Sequence, residues 1–216
     1  EELEIGSSVR SIGANAFSDC TALSKISFSE GLETVGDDAF SGCTGLTFVS
    51  FPQCMREIGD FAFYSCSNLL YISLPDSLTP IGRYAFANCK AVSSLSFGNN
   101  ITTIGDFAFQ SCSHLSSVFF PESLLHIGRA VFEHCYALSQ ISLPQHLLKI
   151  DKYAFADCTA LSSLVCPASL RTLDDYAFRG CTSLISVSLN EGLAYLGDFA
   201  FSGCSRLPSI SIPSSI

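Results

Sequence analysis

Residues 101–124 read I-T-T-I-G-D-F-A-F-Q-S-C-S-H-L-S-S-V-F-F-P-E-S-L. The same phrase is written nine times along the chain without an insertion. Phe109 stands in a column with Phe17, Phe40, Phe63, Phe86, Phe132, Phe155, Phe178 and Phe201, each 23 residues after the last. Cys112 stands likewise with Cys20, Cys43, Cys66, Cys89, Cys135, Cys158, Cys181 and Cys204. A fixed period of this length means a stacked solenoid, because one such unit cannot bury its own apolar face and needs a neighbour on each side.

Two periodicities sit inside the unit. In the first complete copy, Ile12 to Thr34, Ala16, Cys20 and Leu23 fall at i, i+4 and i+7, with Phe17 widening the stripe. That spacing predicts a short helical or 3-10 segment. Ile26 and Phe28 alternate with Lys25, Ser27 and Ser29, which predicts a strand. Pro52, Pro75, Pro121, Pro144, Pro167 and Pro213 follow the strand and end it, since proline has no N–H for the ladder. Gly13, Gly36, Gly59, Gly82, Gly105, Gly128 and Gly197 mark a turn before the helical segment, and Asp151 and Asp174 replace the glycine as residues that tolerate an unusual backbone.

Stacking these units pairs strand on strand at about 4.8 Å. Ten strands, counting a partial one at Leu3 to Ile5, would form a parallel sheet about 45 Å long. Helical segments are bulkier than strands, so the stack should curve with the sheet inside. The expected fold is an α/β solenoid: an arc with a parallel β-sheet on the concave face and short helical or 3-10 segments on the convex face. We expect residues 1–216 to be a single domain of about nine repeats plus a partial N-terminal one. Leu3, Ile5 and Val9 already occupy repeat positions and Ile216 stops within one, which reads as a fragment of a longer protein.

The unit C-x-x-L-x-x-[ILV]-x-[LFI]-P-x-x-[LI]-x-x-I-G-x-x-A-F resembles the BspA-like class of leucine-rich repeats over the whole chain. The resemblance implies a horseshoe or arc without enzyme activity. It also implies a cell-surface or secreted setting, with roles in adhesion and protein binding in host-associated bacteria and some protozoa.

Composition narrows the partners. With 11 basic and 20 acidic residues the formal charge is −9, and no Lys/Arg cluster offers an exception, so nucleic acid is not expected. At 48% hydrophobic the chain is too apolar for disorder, and its apolar residues never run long enough to span a bilayer. Residues 1–10 lack the basic-then-apolar pattern of a secretion signal.

The cysteine column is expected to be structural. Its side chains run parallel rather than toward one another, there is no C-x-x-C pair, and free cysteine packs as a small apolar group. Cys166 takes a strand core position, while Cys54 lies in the loop after the strand and is the thiol expected to be exposed. His114, His126, His134 and His146 occupy different columns, so no metal and no other cofactor is expected. Asn100-Ile101-Thr102 is the single N-x-[ST] triplet. The column after the proline, Glu30, Gln53, Asp76, Asn99, Glu122, Gln145, Ala168 and Glu191, alternates acid with amide as far as Ala168, which keeps like charges apart. Asp37, Asp38, Asp60, Asp106 and Asp198 precede the helical segments and are read as helix-start carboxylates.

The binding residues are expected where the sheet departs from serine. Phe48 and Tyr71 take, in consecutive repeats, the outward position held elsewhere by Lys25, Gln140 or serine, and should lie side by side. Phe119 and Val165 interrupt the column of Ser27, Ser50, Ser73, Ser96, Ser142, Ser188 and Ser211. Exposed aromatics on a rigid polar sheet suit a binding hot spot. Phe48, Tyr71, Phe119, Lys25, Gln140 and Val165 are therefore the expected partner-binding set, and another protein, such as a host matrix or cell-surface protein, is the expected partner. An intracellular scaffold and a carbohydrate-binding surface remain alternatives. No acid, base and nucleophile can be assembled across columns, so no catalysis is expected.

Overall fold

The computed structural model describes residues 1–216. Two series of short parallel strands run along the stack. The longer series consists of Glu2–Glu4, Lys25–Ser27, Phe48–Ser50, Tyr71–Ser73, Ser94–Ser96, Ser117–Phe119, Gln140–Ser142, Ser163–Val165 and Ser186–Ser188. These are nine strands where ten were expected; residues 209–211 do not pair. The register advances by one repeat at each step, as in Lys25 opposite Phe48 and Tyr71 opposite Ser94. Ile26, Val49, Ile72, Leu95, Val118 and Leu164 point inward from these strands and are buried, as alternation requires.

The second series was not foreseen. Ser11–Ile12, Thr34–Val35, Glu57–Ile58, Pro80–Ile81 and Thr103–Ile104 form one ladder, and His126–Ile127, Lys149–Ile150, Thr172–Leu173 and Tyr195–Leu196 form another. Each strand has two residues, of which the second, such as Ile58 or Ile127, enters the core. Two-residue strands leave too little alternation to stand out in a sequence.

The expected helical or 3-10 segments are absent. Where they were placed, the chain makes consecutive tight turns. Ala39, Ser41 and Cys43 donate their N–H groups three residues back, to Gly36, Asp38 and Phe40. The residues between them, Asp38, Phe40 and Gly42, donate outward to Asp60, Ala62 and Tyr64 of the next repeat, at 2.8–2.9 Å. A helix would keep all these N–H groups within itself. Here every second one is spent on the neighbouring repeat, so this side is also a hydrogen-bonded ladder. The alternation needs left-handed backbone at two positions per repeat. One is the column of Asp19, Gly42, Ser65 and Asn88; the other holds Asp38, Phe61, Tyr84, Phe107, Tyr153 and Tyr176, all with φ between 53° and 73°. Bulky residues rarely adopt such values. Their rings stack, Phe61 on Tyr84 at 4.8 Å and Tyr84 on Phe107 at 4.5 Å, with the Arg129 guanidinium 5.6 Å above Phe107. Packing between repeats thus offsets the local strain.

The glycine column serves close approach and not left-handed backbone, since none of its members has positive φ. A Cβ on Gly82 would lie 2.3 Å from the carbonyl carbon of Gly59, and one on Gly105 would lie 2.6 Å from that of Gly82. The carboxylates Asp37, Asp60 and Asp106 have no helix to start. Each instead accepts the backbone N–H of the equivalent residue one repeat on: Asp60, Arg83 and Arg129.

Between the ladders lies a single core of 57 buried residues, threaded by the phenylalanine column. Its rings stack nearly parallel at centroid separations of 5.1–5.7 Å from Phe17 to Phe201. Each thiol from Cys43 to Cys204 donates to the carbonyl of the preceding repeat's phenylalanine, as Cys112 does to Phe86 at 3.4 Å.

The two sides differ in continuity. On the side of the longer strands, hydrogen-bonded pairing lapses at three junctions: Phe48–Ser50 with Tyr71–Ser73, Ser94–Ser96 with Ser117–Phe119, and Gln140–Ser142 with Ser163–Val165. The two-residue strands lapse once, between Thr103–Ile104 and His126–Ile127, but those leading into the three junctions remain paired. So do the turns, through Phe40 to Ala62, Phe86 to Ala108 and Phe132 to Ala154.

Candidate functional site

The three lapses fall at every second junction, and each opens a shallow cleft on the outer surface of the longer strands. The first cleft, about 230 Å³, lies between Phe48, Ser50 and Gln53 on one lip and Tyr71, Ser73 and Pro75 on the other. The second, about 340 Å³, lies between Ser96 and Asn99 and the facing Phe119 and Pro121. The third, about 320 Å³, lies between Ser142 and Gln145 and the facing Val165 and Pro167. One wall of every cleft is therefore an outward apolar residue that breaks the serine pattern.

Phe48 and Tyr71 do meet, with ring centroids 5.3 Å apart and an interplanar angle of 60°. Phe48 is half-buried and Tyr71 is 45% exposed. Lys25 stands beside Phe48 in the strand register, but its ammonium is 3.5 Å from Glu2 across the sheet. Phe119 and Val165 are 63% and 70% exposed. They sit opposite Ser142 and Ser188, two repeats apart, so they extend the face without touching the Phe48–Tyr71 pair. Gln140 is exposed on the strand paired with Phe119's. Gln53, Asn99 and Gln145 were not singled out, yet each lines a cleft. Their signal was the acid–amide alternation, which has the same two-repeat period.

The acids of that column bind backbone: Asp76 accepts from the N–H of Asn99, Glu122 from Gln145 and Glu191 from Ser214, at 2.8–3.1 Å. Each carboxylate uses one oxygen for this and keeps the other toward solvent.

The cysteines form a different environment. Cys43 to Cys181 of the column are buried, and burial pushes the Cys112 thiol up to about 12 and the Cys43 thiol up to about 11. Cys166, on the floor of the third cleft, is likewise raised to about 12. Such thiols are protonated at neutral pH and poor nucleophiles. The most exposed thiol is Cys20, in the first repeat, rather than Cys54. Cys54 is half-buried and donates to the carbonyls of Glu30 and Leu32. The four histidines lie apart: His114 bonds the carbonyl of Lys90, His134 lies 3.5 Å from Asp157, and His126 and His146 are exposed. No three His, Cys, Asp or Glu side chains converge in a way that could hold a metal ion.

Comparison with known proteins fits this geometry. The family described as "BspA type Leucine rich repeat region (6 copies)" matches residues 1–115, 37–162 and 103–216, which together take in the whole chain. The chain belongs to the BspA-type leucine-rich-repeat family. This BspA-type stack is similar to the leucine-rich repeat protein TpLRR of T. pallidum, with 29% identity and a TM-score of 0.71 over 74% of this chain and 77% of that one. It is also similar to a leucine-rich repeat protein from Bacteroides ovatus, with 29% identity and a TM-score of 0.75, covering 95% of this chain and 59% of that one. The pneumococcal vaccine antigen PcpA shares the fold at 20% identity and a TM-score of 0.51, over 100% of this chain and 73% of that one. No functionally curated protein matches the BspA-type chain with significance. No helix of this BspA-type protein is long and apolar enough to cross a membrane.

Proposed function

We propose that residues 1–216 form one non-enzymatic module that docks another protein on the face of the longer strands, with Phe48 and Tyr71 as anchors and Phe119 as a third. The observation that carries this reading is the contact of Phe48 with Tyr71 and the 63% exposure of Phe119 on a face built mostly of serine. Rings on a fixed sheet bury large area and lose little rotamer freedom on binding. The phenylalanine column, spaced 5.1–5.7 Å, is longer per repeat than hydrogen-bonded strands at about 4.8 Å, which supports a bend that makes the binding face concave. A secreted or cell-surface, adhesion-type setting is supported by the family and by the antigen that shares the fold.

The experiment is surface plasmon resonance against a panel of extracellular-matrix and cell-surface proteins, comparing the native chain with Phe48→Ser/Tyr71→Ser. Serine is what other repeats carry at this position, so the fold is retained. A partner whose affinity is unchanged by the double substitution removes these anchors. The eleven free thiols favour a second reading, an intracellular scaffold, because oxidising compartments select against unpaired cysteine. Fractionating cells of the source organism decides between the two settings.

A further inference from the structure

The series of two-residue strands has one defect. Where the chain leaves each such strand, the next backbone N–H donates to the repeat before: Gly36 to Ile12, Gly59 to Val35, Gly82 to Ile58, Gly105 to Ile81, Asp151 to Ile127, Asp174 to Ile150 and Gly197 to Leu173, at 2.7–3.0 Å. The N–H of Gly128 and the carbonyl of Ile104 make no such bond, at the one place where this series is unpaired. A cleft of about 380 Å³ lies there, on the surface of the shorter strands. That volume falls in the range of small-ligand sites, about 300–1,000 Å³. Unlike the clefts of the longer strands it is polar: Arg83, Thr102, Thr103, Asp106, His126 and Asp151 line it, and Ile104 is its one apolar side chain.

Most of these groups keep bonding capacity. Arg83 is held through its backbone, by Asp60 and Phe61, and its exposed guanidinium has no partner. Asp106 accepts the N–H of Arg129 at 3.0 Å with one carboxylate oxygen and keeps the other. Asp151 shares one oxygen with the Lys149 ammonium. A Cβ on Gly128 would lie 3.0 Å from the carbonyl oxygen of Ile104 and 3.1 Å from Oδ1 of Asp106, so both oxygens converge beside the N–H that lacks a partner.

The balance of donors and acceptors selects the ligand class. An apolar molecule would meet one side chain of its own kind. An anion would face the carboxylates of Asp106 and Asp151, and a cation would face Arg83 and Lys149, with no three side chains converging to hold a metal ion. A neutral molecule rich in hydroxyls can use every group, because each hydroxyl both donates and accepts. Arg83 and the Gly128 N–H donate, Asp106, Asp151 and the Ile104 carbonyl accept, and the hydroxyls of Thr102 and Thr103 do either. We infer that this cleft binds a neutral saccharide through its ring hydroxyls. The site stands apart from the docking face and does not depend on that reading.

The test is NMR of the histidine ring protons, since the chain has four histidines and His126→Gln assigns the one in the cleft. The probes are the methyl glycosides of glucose, galactose, mannose and N-acetylglucosamine at millimolar concentration, with glucuronic acid and glucosamine as charged counterparts. At least one neutral glycoside should shift the His126 signal and leave those of His114 and His134 in place. Its affinity should fall about tenfold in Arg83→Gln and in Asp106→Asn, the loss of one hydrogen bond to a charged group. Asparagine keeps an oxygen for the Arg129 N–H, so the fold is retained. Tighter binding of the matching oligosaccharide assigns a glycan chain as the source, and equal binding assigns a free sugar or a chain end. No shift from any neutral glycoside, equal shifts at all the histidines, or unchanged affinity in both variants overturns the inference. Equal or tighter binding of a charged sugar overturns the neutral class. The Phe48→Ser/Tyr71→Ser protein should bind the glycoside as the native chain does, and loss of the shift there overturns the assignment to this cleft.

Discussion

Truncating Phe109 to alanine removes one ring from the middle of a continuous column. Phe109 is fully buried and stacks on Phe86 and Phe132, each at 5.5 Å. Deleting a buried phenylalanine side chain costs about 3–5 kcal/mol through lost transfer energy and the cavity left behind. The lost stacking contacts place Phe109 toward the upper end of that range. Phe17 supplies the control: its ring is half-buried and has one neighbour in the column, Phe40 at 5.2 Å, so its truncation should cost about 1–2 kcal/mol. The assay is urea unfolding followed by circular dichroism. In a stack whose repeats contact only their neighbours, a central defect also weakens coupling between the halves. The Phe109→Ala transition should therefore broaden as well as move to lower urea, while Phe17→Ala keeps the native slope. Equal losses from the two substitutions, with unchanged slopes, would refute the claim that the column is a cooperative core.

Three further outcomes are expected. Gly82→Ala should cost about 3 kcal/mol or more, because the new Cβ meets the backbone of Gly59 at 2.3 Å, whereas Gly13→Ala meets no atom within 4 Å and should be neutral or gain about 0.5 kcal/mol; thermal melts of the pair check both. Brief iodoacetamide treatment of the native protein should label Cys20 first and spare Cys112 and Cys166, whose thiols burial raises to about 12; peptide mass spectrometry reads the order, and labelling of Cys112 before Cys20 would contradict it. The hydrogen bond from Lys152, then that from the N–H of Asp198, holds the Asp175 carboxyl below its usual range, so its stabilisation is present above about pH 4 and is lost as pH falls through the lowered value. Native and Lys152→Met proteins should differ in stability near pH 6 and converge near pH 2; a gap that persists at low pH would exclude this pair as the source.

The sequence made some parts of this molecule easy to read. The Phe, Cys and Ile columns mark side chains that every repeat must bury, and a 23-residue offset is enough to set Phe48 beside Tyr71. The turn side was misread because Ala39, Cys43 and Leu46 all point into the core, and inward residues at helical spacing do not reveal whether the backbone between them is a helix or a run of turns. One of its two left-handed positions was legible, since Asp19, Gly42 and Asn88 are the residue types that accept such backbone. The other holds Phe61, Tyr84 and Phe107, which propensity would never place there; only stacking with adjacent repeats makes them acceptable. The clefts were hidden for a similar reason, because the lapse in pairing beside Phe119 or Val165 belongs to a junction between repeats and not to any single residue type.

The one-sided lapse in pairing also determines how the molecule answers force. At each of the three junctions the turns stay hydrogen-bonded while the longer strands do not. A tensile load will therefore not part these junctions evenly. They will gape on the serine-lined side and pivot about the intact side, as a spine flexes about its linked edge. The compliant units are blocks of two repeats, and bending in that one plane widens or narrows all three clefts together.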